Sequence, residues 1–488
     1  CWTPSGCSRA AMQRVIGVET EYGLLGRTRT GRMASSEAAQ WLFRPVEAHH
    51  RSSNAFLANG GRLYLDVGAH PEYATPECRT PREVVLSERA GDDLLVSLAE
   101  RASEEAAAAG TPVTLRLFKN NADSFGNSYG CHENYLVERE LEPESAAALL
   151  TSFLVTRPLL CGSGCLRRGA FVISQRADHL HDSYSALTTR ARPLVNSRDE
   201  PLADPARFRR LHVLAGDSNL SEYSSWLRLA STEAVLSLIE RAASEPRGQL
   251  RADLERWQLA DPVAALPAVA RDPRALLTTQ SGGRMTALDV QYAFAELVAR
   301  HAVADPTVIE TWLRVLDALD ADDPDAVADI VEWAAKRRLL AQFRQRHDLA
   351  VDDPRLAAVD LAFHDLSSNG LARRLEAGGV LRRLTRPEEV RQAMSRPVSP
   401  TRAQLRSRLI VAAQQATRDY SVDWMRFAVH DLPGGGAGPA DLTVTLGDPL
   451  ASVEAAVDAL AARMLDSPRV RATGGFRPPG SRPDWPSR

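Results

Sequence analysis

The chain has 488 residues, 44% hydrophobic and 25% charged, with a formal net charge of −3. That length exceeds one ordinary core and predicts two or more domains, and the composition excludes a disordered, fibrous or small disulfide-stapled protein. The balanced charge carries no signature of nucleic-acid binding, and no apolar run is long enough to span a membrane, so neither partner is expected.

In chain order, residues 1–11 read as a leader outside the fold, with Met12 as the natural start. The segment RVIGVETEYG, 14–23, alternates apolar and polar residues and predicts a strand with Glu19 and Glu21 on one face. Arg62 to Val67 repeats the pattern, placing Arg62, Tyr64 and Asp66 opposite Leu63, Leu65 and Val67. Val113 to Phe118 and Asn134 to Glu138 predict two more strands around a Gly, Asn and Ser-rich connection, 120–130. Helical spacing marks Arg82 to Ala108, Glu144 to Val155 and Thr232 to Ala243, and Ala287 to Gln345 reads as almost wholly helical with Pro306 and Pro324 as breaks. Ala357 to Asp365 reads as a short buried segment. After the linker SRPVSPT, 395–401, a helix (Arg402 to Gln415), two strands (Trp424 to Val429, Leu442 to Leu446) and a helix (Ser452 to Met464) predict a small C-terminal domain. The Pro, Gly, Ser and Arg-rich tail from Ser467 predicts disorder.

Three groups could carry chemistry. Glu19, Glu21, Asp66, Glu72 and Glu77 are carboxylates placed near two strand ends, a hard-oxygen set suited to Mg²⁺ and phosphates. The segment FKNNADSFGNSYGCHENY, 118–135, is polar enough to line a pocket. Arg190, Arg192, Asn196, Arg198, Arg209, Arg210 and His212 form a basic group able to meet phosphate oxygens. No Walker A or dinucleotide fingerprint occurs, and the Cys161, Cys165, His179 and His181 spacings do not make a zinc site. Six scattered cysteines fit a reducing compartment, the cytoplasm. Only Lys119 and Lys336 are lysines, against 57 arginines, an excess that a GC-rich genome produces throughout a chain.

The blocks GVETEYG, RSSNAFLANGGRLYLDVGAHPEYATPE, FKNNADSFGNSYGCHENY, SRDEPLADPARFRRLHVLAGDSN and DYSVDW resemble the Pup ligases of the PafA/Dop family, glutamine synthetase-like carboxylate-amine ligases. The resemblance runs from Met12 to about Met464. It implies an α+β fold, a curved antiparallel sheet backed by helices over 12–398, followed by a small α/β domain at 399–466 and a disordered tail at 467–488. It further implies an ATP- and Mg²⁺-dependent enzyme. The γ-carboxylate of the C-terminal Glu of Pup, a small acidic disordered protein, becomes a γ-glutamyl phosphate, and a lysine on a protein substrate displaces the phosphate, tagging that protein for proteasomal degradation. By the family's motifs, Glu19, Tyr64 and Glu72 look like metal ligands, Arg62, Thr75 and Trp424 like ATP contacts, and Asp66 like the catalytic base. Glu21, Arg198, Arg210 and His212 are further site candidates. The sister branch, which deamidates Pup and removes it from substrates, carries a long insertion after the first strand; the short stretch between Gly23 and the RSSNAF segment favours the ligases. A non-catalytic Pup-binding relative need not keep Glu19, Asp66 and Glu72. Leu202 and Ser197 depart from the family's His and Thr. A ligase acting on lysines would also modify itself less with only two of them.

Overall fold

The alternating segment after Arg14 folds as β1 (Ile16–Glu21), an inner strand of the main sheet. The computed structural model describes residues 14–50, 52–66, 68–123, 126–167, 169–186, 192–245, 247–433 and 439–469; the expected leader, Val67, Arg190 and the tail beyond Arg469 lie outside them. The other strands that build or flank the site are β2 (Gly23–Thr28), β3 (Gly31–Arg32), β4 (Ala55–Phe56), β5 (Arg62–Leu65), β6 (Pro71–Ala74), β7 (Thr114–Phe118), β8 (Cys131–Glu138), β9 (Asp182–Ser185), β10 (Pro193–Asn196) and β11 (Phe208–Val213). Eight of the strands form one sheet in the order β9-β10-β11-β8-β1-β6-β5-β4, while β3, β2 and β7 make a second. The expected antiparallel sheet is mixed at one edge, because β9 and β10 run parallel. Alternation within a strand does not tell a parallel neighbour from an antiparallel one, because both pleat with a period of two.

Residues directly opposed on neighbouring strands share a face. Val18, Thr20, Leu63, Tyr73, Cys131, Glu133, Tyr135 and Leu211 make the inner face, and each is buried. Against it lie α2 (Pro81–Ala108), α3 (Pro143–Thr156) and α4 (Glu222–Ser244) among the helices of one large core, while α1 (Ser35–His50) packs on β2 and α2. Helix α2 begins where Thr80 and Glu83 close a capping box ahead of Pro81. It approaches the sheet so closely at Gly91 that a Cβ there would sit 2.3 Å from the Tyr73 ring. Charges beneath the sheet are paired, Lys119 with Glu88 and Asp92 at 3.1 Å each and Arg157 with Glu133 at 2.7 Å, as burial demands.

The helical stretch from Ala287 resolves into α5 (Ala287–His301), α6 (Pro306–Asp320) and α7 (Glu332–Arg346), with a 3-10 turn at Pro324–Val327. The short segment after Ala357 belongs to α8 (Pro354–Phe363). Farther on, α9 (Arg402–Gln415), β12 (Tyr420–Val422), β13 (Arg426–Pro433), β14 (Pro439–Thr445) and α10 (Ala455–Leu465) enclose a second core that includes Leu405, Leu409, Phe427, Val429 and Met464, and receives Phe56 from β4. No helix among the described residues is long and apolar enough to cross a membrane.

Candidate active site

The outer face of the main sheet is polar by register. Glu21 on β1 stands opposite Glu72 on β6, which stands opposite Tyr64 on β5. In the adjacent row Glu19 lies between His132 of β8 and Ala74 of β6, with Arg62 beyond Ala74. On the other side Asn134 of β8 faces His212 of β11, and Asn196 of β10 faces His212 in turn. Asp66 lies just past the end of β5, exposed, in a turn where its N–H donates to His70 O at 3.0 Å.

Two sets of ligand atoms converge on this face. The carboxylate oxygens of Glu21, Asp66 and Glu72 lie within 4.8 Å of one another, and so do the ligand atoms of Glu19, His132 and His212. Tyr64 donates its hydroxyl to Glu72 Oε1 at 2.5 Å, and the Gly130 N–H donates to Glu21 Oε1 at 2.9 Å. Gly130 permits that approach, since a Cβ there would meet Glu21 Oε1 at 2.8 Å and His132 Nε2 at 2.2 Å. Asn134 donates to Glu19 Oε1 at 3.2 Å, and Arg210 donates to Asn134 Oδ1 at 2.6 Å while standing 3.9 Å from Glu19. Arg62 donates to Asn54 at 2.8 Å and lies over the Tyr64 ring at 4.2 Å. Burial, reinforced by the charge of Glu19, pushes Glu72 up to about 9. Burial would raise Glu19 as well, but His132 at 3.7 Å, His212 and the Arg210 charge hold it at about 2. Neighbouring carboxylates that resist joint ionisation, and that offer only hard donors around Glu21, Asp66 and Glu72, fit a divalent cation such as Mg²⁺.

On either side of these carboxylates the surface opens. One opening is a narrow, mainly apolar slot of about 70 Å³ lined by Gly17, Thr75, Leu136, Leu202 and Trp424, with Glu19 and Arg210 at its edge. Thr75 Oγ1 accepts the Val18 N–H at 3.0 Å, which leaves its own proton free to donate. Leu202 holds a left-handed backbone, φ 50°, at the slot wall. The other opening is a cleft of about 1130 Å³ reached by Asp66, His132 and His212, with Arg27, Arg32, Arg176 and Arg192 in its wall.

Residues 14–428 match the Pup-ligase protein family. The chain belongs to that family. It is 40% identical over 463 residues to the Pup–protein ligase of Paenarthrobacter aurescens, covering 92% of this chain and 98% of that protein. It is 41% identical over 467 residues to that of Xylanimonas cellulosilytica, covering 92% and 99%. A crystal structure of the complex between the prokaryotic ubiquitin-like protein Pup and its ligase PafA matches with a TM-score of 0.84 and 36% identity, over 94% of this chain and 92% of that one. The Pup ligase PafA in complex with ADP matches with a TM-score of 0.77 and 36% identity, over 90% and 95%.

Within this Pup-ligase fold, Glu19, Glu21, Arg62, Tyr64, Asp66 and Glu72 fall on one face or at its edge. Thr75 and Trp424 meet across the slot, 349 residues apart in a sequence that gives no local sign of their proximity. Arg210 and His212 share that face, and Arg198 follows β10, its N–H bonded to Asn196 Oδ1 at 2.8 Å. Glu77 leaves the expected group of five carboxylates: it is buried between Arg402 and Arg406, each 2.6 Å away. The polar segment 118–135 divides, since β8 begins at Cys131 and alternation sends His132 to the site and Glu133 into the core. Asn134, which the sequence gives as the start of a strand and a member of that polar segment but not as a site residue, joins Glu19, Arg210 and His212.

Proposed function

We propose that the chain is an ATP-dependent ligase that joins the γ-carboxylate of the C-terminal glutamate of Pup to a lysine ε-amine on another protein. The observation that carries this reading is the placement of Glu19, Glu21, Asp66 and Glu72 between the apolar slot and the wide cleft. A nucleotide base suits the slot, a protein tail suits the cleft, and the reacting atoms of both would meet over the carboxylates.

In the reaction, a carboxylate oxygen of Pup attacks the γ-phosphorus of ATP, the β,γ-bridging P–O bond breaks and ADP leaves. The lysine nitrogen then attacks the acyl carbon, loses a proton and expels phosphate. Glu19, Tyr64 and Glu72 would hold Mg²⁺, with Glu21 beside them; when bound, the ion offsets the repulsion between a carboxylate and a triphosphate. Thr75 and Arg62 contact ATP, and Trp424 lies against the base. Asp66, exposed at the cleft side, takes the proton from the incoming ammonium, which must be neutral to attack. Arg210, with His212 and Arg198 on the far side of Glu19, meets the transferred phosphate.

We also take residues 12–398 as the catalytic domain and 399–466 as a second small domain, a division supported by the separate apolar core around Leu409 and Phe427. A cytoplasmic setting suits the unpaired, buried Cys78, Cys131 and Cys161. The test is one incubation with Mg-ATP, Pup ending in Glu and a lysine-bearing protein. Conjugate with one ADP per bond supports the ligase. Cleavage of preformed conjugate without net ATP use would replace it with the depupylase reading.

A further inference from the structure

We propose that the folded enzyme offers no acceptor lysine to its own activity, in cis or between copies, an inference that rests on the ligase reading above. Both lysines of the 488-residue chain, Lys119 and Lys336, are among the described residues, and their exposures are 2% and 0%.

Each amine is also fully engaged. Lys119 lies between Phe118 and Asn120, two residues of the cleft wall, yet its amine points away, beneath the sheet, 3.1 Å from Glu88 Oε1 and 3.1 Å from Asp92 Oδ2. Its backbone N–H donates to His364 O at 3.0 Å. Lys336 donates to Gly164 O at 2.6 Å, stands 3.2 Å from Asp360 Oδ1 and 2.5 Å from His364 Nε2, and lies over the Phe363 ring. The other ring nitrogen of His364 is 2.7 Å from Lys119 O, so one imidazole joins the two lysines in a single buried network between β7, α7 and α8.

A lysine serves as acceptor only as a neutral amine with its lone pair about 3–3.5 Å from the acyl carbon. Burial alone would make Lys119 easier to deprotonate, but the carboxylates of Asp92 and Glu88 outweigh it and keep the ammonium charged. Bringing either amine to the cleft means opening the core, and the unfolded fraction of a stable protein is only about 10⁻³–10⁻⁶. The exposed cations are arginines, which stay protonated and cannot attack. Lysine persists at two buried positions where a compact ammonium meets converging acceptors, a geometry that a planar guanidinium fits poorly. Whatever set the arginine content, its consequence is a lysine-modifying enzyme without an exposed lysine.

The experiment incubates the full chain with Mg-ATP and Pup ending in Glu, with a lysine-bearing acceptor protein in the same tube, and maps adducts by intact mass and peptide sequencing. Arg101→Lys and Arg391→Lys are run beside it, since these side chains are 62% and 66% exposed and lie outside the site. The expected result is conjugation of the acceptor, no Pup on the unaltered chain, and one adduct at the new lysine of each variant. Pup on Lys119 or Lys336 of the folded chain would overturn the proposal. So would variants that stay unmodified while the acceptor is conjugated, because lysine supply would then not be what protects the enzyme. Failure to modify the acceptor as well would instead sink the ligase reading itself.

Discussion

Glu77 and Arg406, 329 residues apart in the sequence, form a forked ion pair in which Nη2 is 2.6 Å from Oε2 and Nη1 is 3.1 Å from Oε1. The same guanidinium donates to Gly60 O at 2.8 Å and to Trp424 O at 3.3 Å, and lies 4.9 Å from the Trp424 ring centroid. One side chain thereby ties the second core to the segments that precede β5 and follow β6 and holds the slot's indole in place. Breaking a buried pair costs about 3–5 kcal/mol. Because Arg402 still contacts Glu77, we expect Arg406→Ala to lose about 3 kcal/mol in denaturant unfolding, with weaker nucleotide binding, and Arg406→Lys to fall between. Unchanged stability in Arg406→Ala would show that Arg402 alone suffices.

The same pair predicts an acid limb in stability. Burial would raise the Glu77 carboxyl, but Arg406 and Arg402 overcome it and hold it at about 2, below the ordinary 4.5. A carboxylate depressed in the folded state contributes in full above its unfolded value and loses that contribution as pH falls toward its folded one. The loss should therefore develop between about pH 4.5 and 2. Glu77→Gln should be less stable at neutral pH and flatter across that window. Parallel pH–stability curves for the two proteins would contradict the assignment.

Asp66 is the exposed member of its carboxylate set, and an amide of the same shape cannot accept the lysine's proton. Asp66→Asn is expected to bind ATP as the parent does and to conjugate about 10²–10⁴-fold more slowly. Nucleotide titration and single-turnover conjugation separate the two effects. A near-normal conjugation rate would take the base assignment away from Asp66.

Much of this face was legible because a strand's period of two is local information. Glu19 with Glu21, and Arg62 with Tyr64, share a face by alternation alone. Pro71–Ala74 was not legible as β6, since PEYA is buried at every position and shows no alternation. Helix α1 has no counterpart in the predicted elements, although Ala38, Ala39, Leu42, Phe43 and Val46 follow helical spacing; Pro45 stands inside it. Glu77 resembled its acidic neighbours until the fold brought Arg402 and Arg406 to it. The family resemblance drew Trp424 into the site; periodicity had no means of bringing it to Thr75.

If Glu19 and Glu72 hold Mg²⁺, replacing either carboxylate should raise the Mg²⁺ concentration needed for half-maximal ADP formation. Loss of an outer-layer partner of a metal costs about 10–100-fold in affinity. Glu19→Gln and Glu72→Gln should exceed that range, and Tyr64→Phe should fall within it if the hydroxyl acts mainly by bonding Glu72. Chelation should stop ADP formation and added Mg²⁺ should restore it. A Glu72→Gln enzyme with the parent's Mg²⁺ dependence would place the ion elsewhere.

Trp424 is half-buried, edge-on to Phe56 at 5.0 Å and 84°, so its ring is held by contacts within the protein itself. Truncation removes a preformed wall of the slot. An aromatic contact contributes about 0.5–1.5 kcal/mol beyond its area. We therefore expect Trp424→Ala to weaken ATP binding about tenfold, corresponding to about 1.4 kcal/mol. Conjugation at saturating ATP should be nearly unchanged, because Asp66 and the carboxylates stand on the main sheet and not on the C-terminal core. Trp424→Phe should recover most of the affinity by keeping a ring against Phe56. If Trp424→Ala binds ATP as tightly as the parent, the base is held elsewhere. If it binds normally but conjugates slowly, the C-terminal core acts on the reaction through something other than the nucleotide.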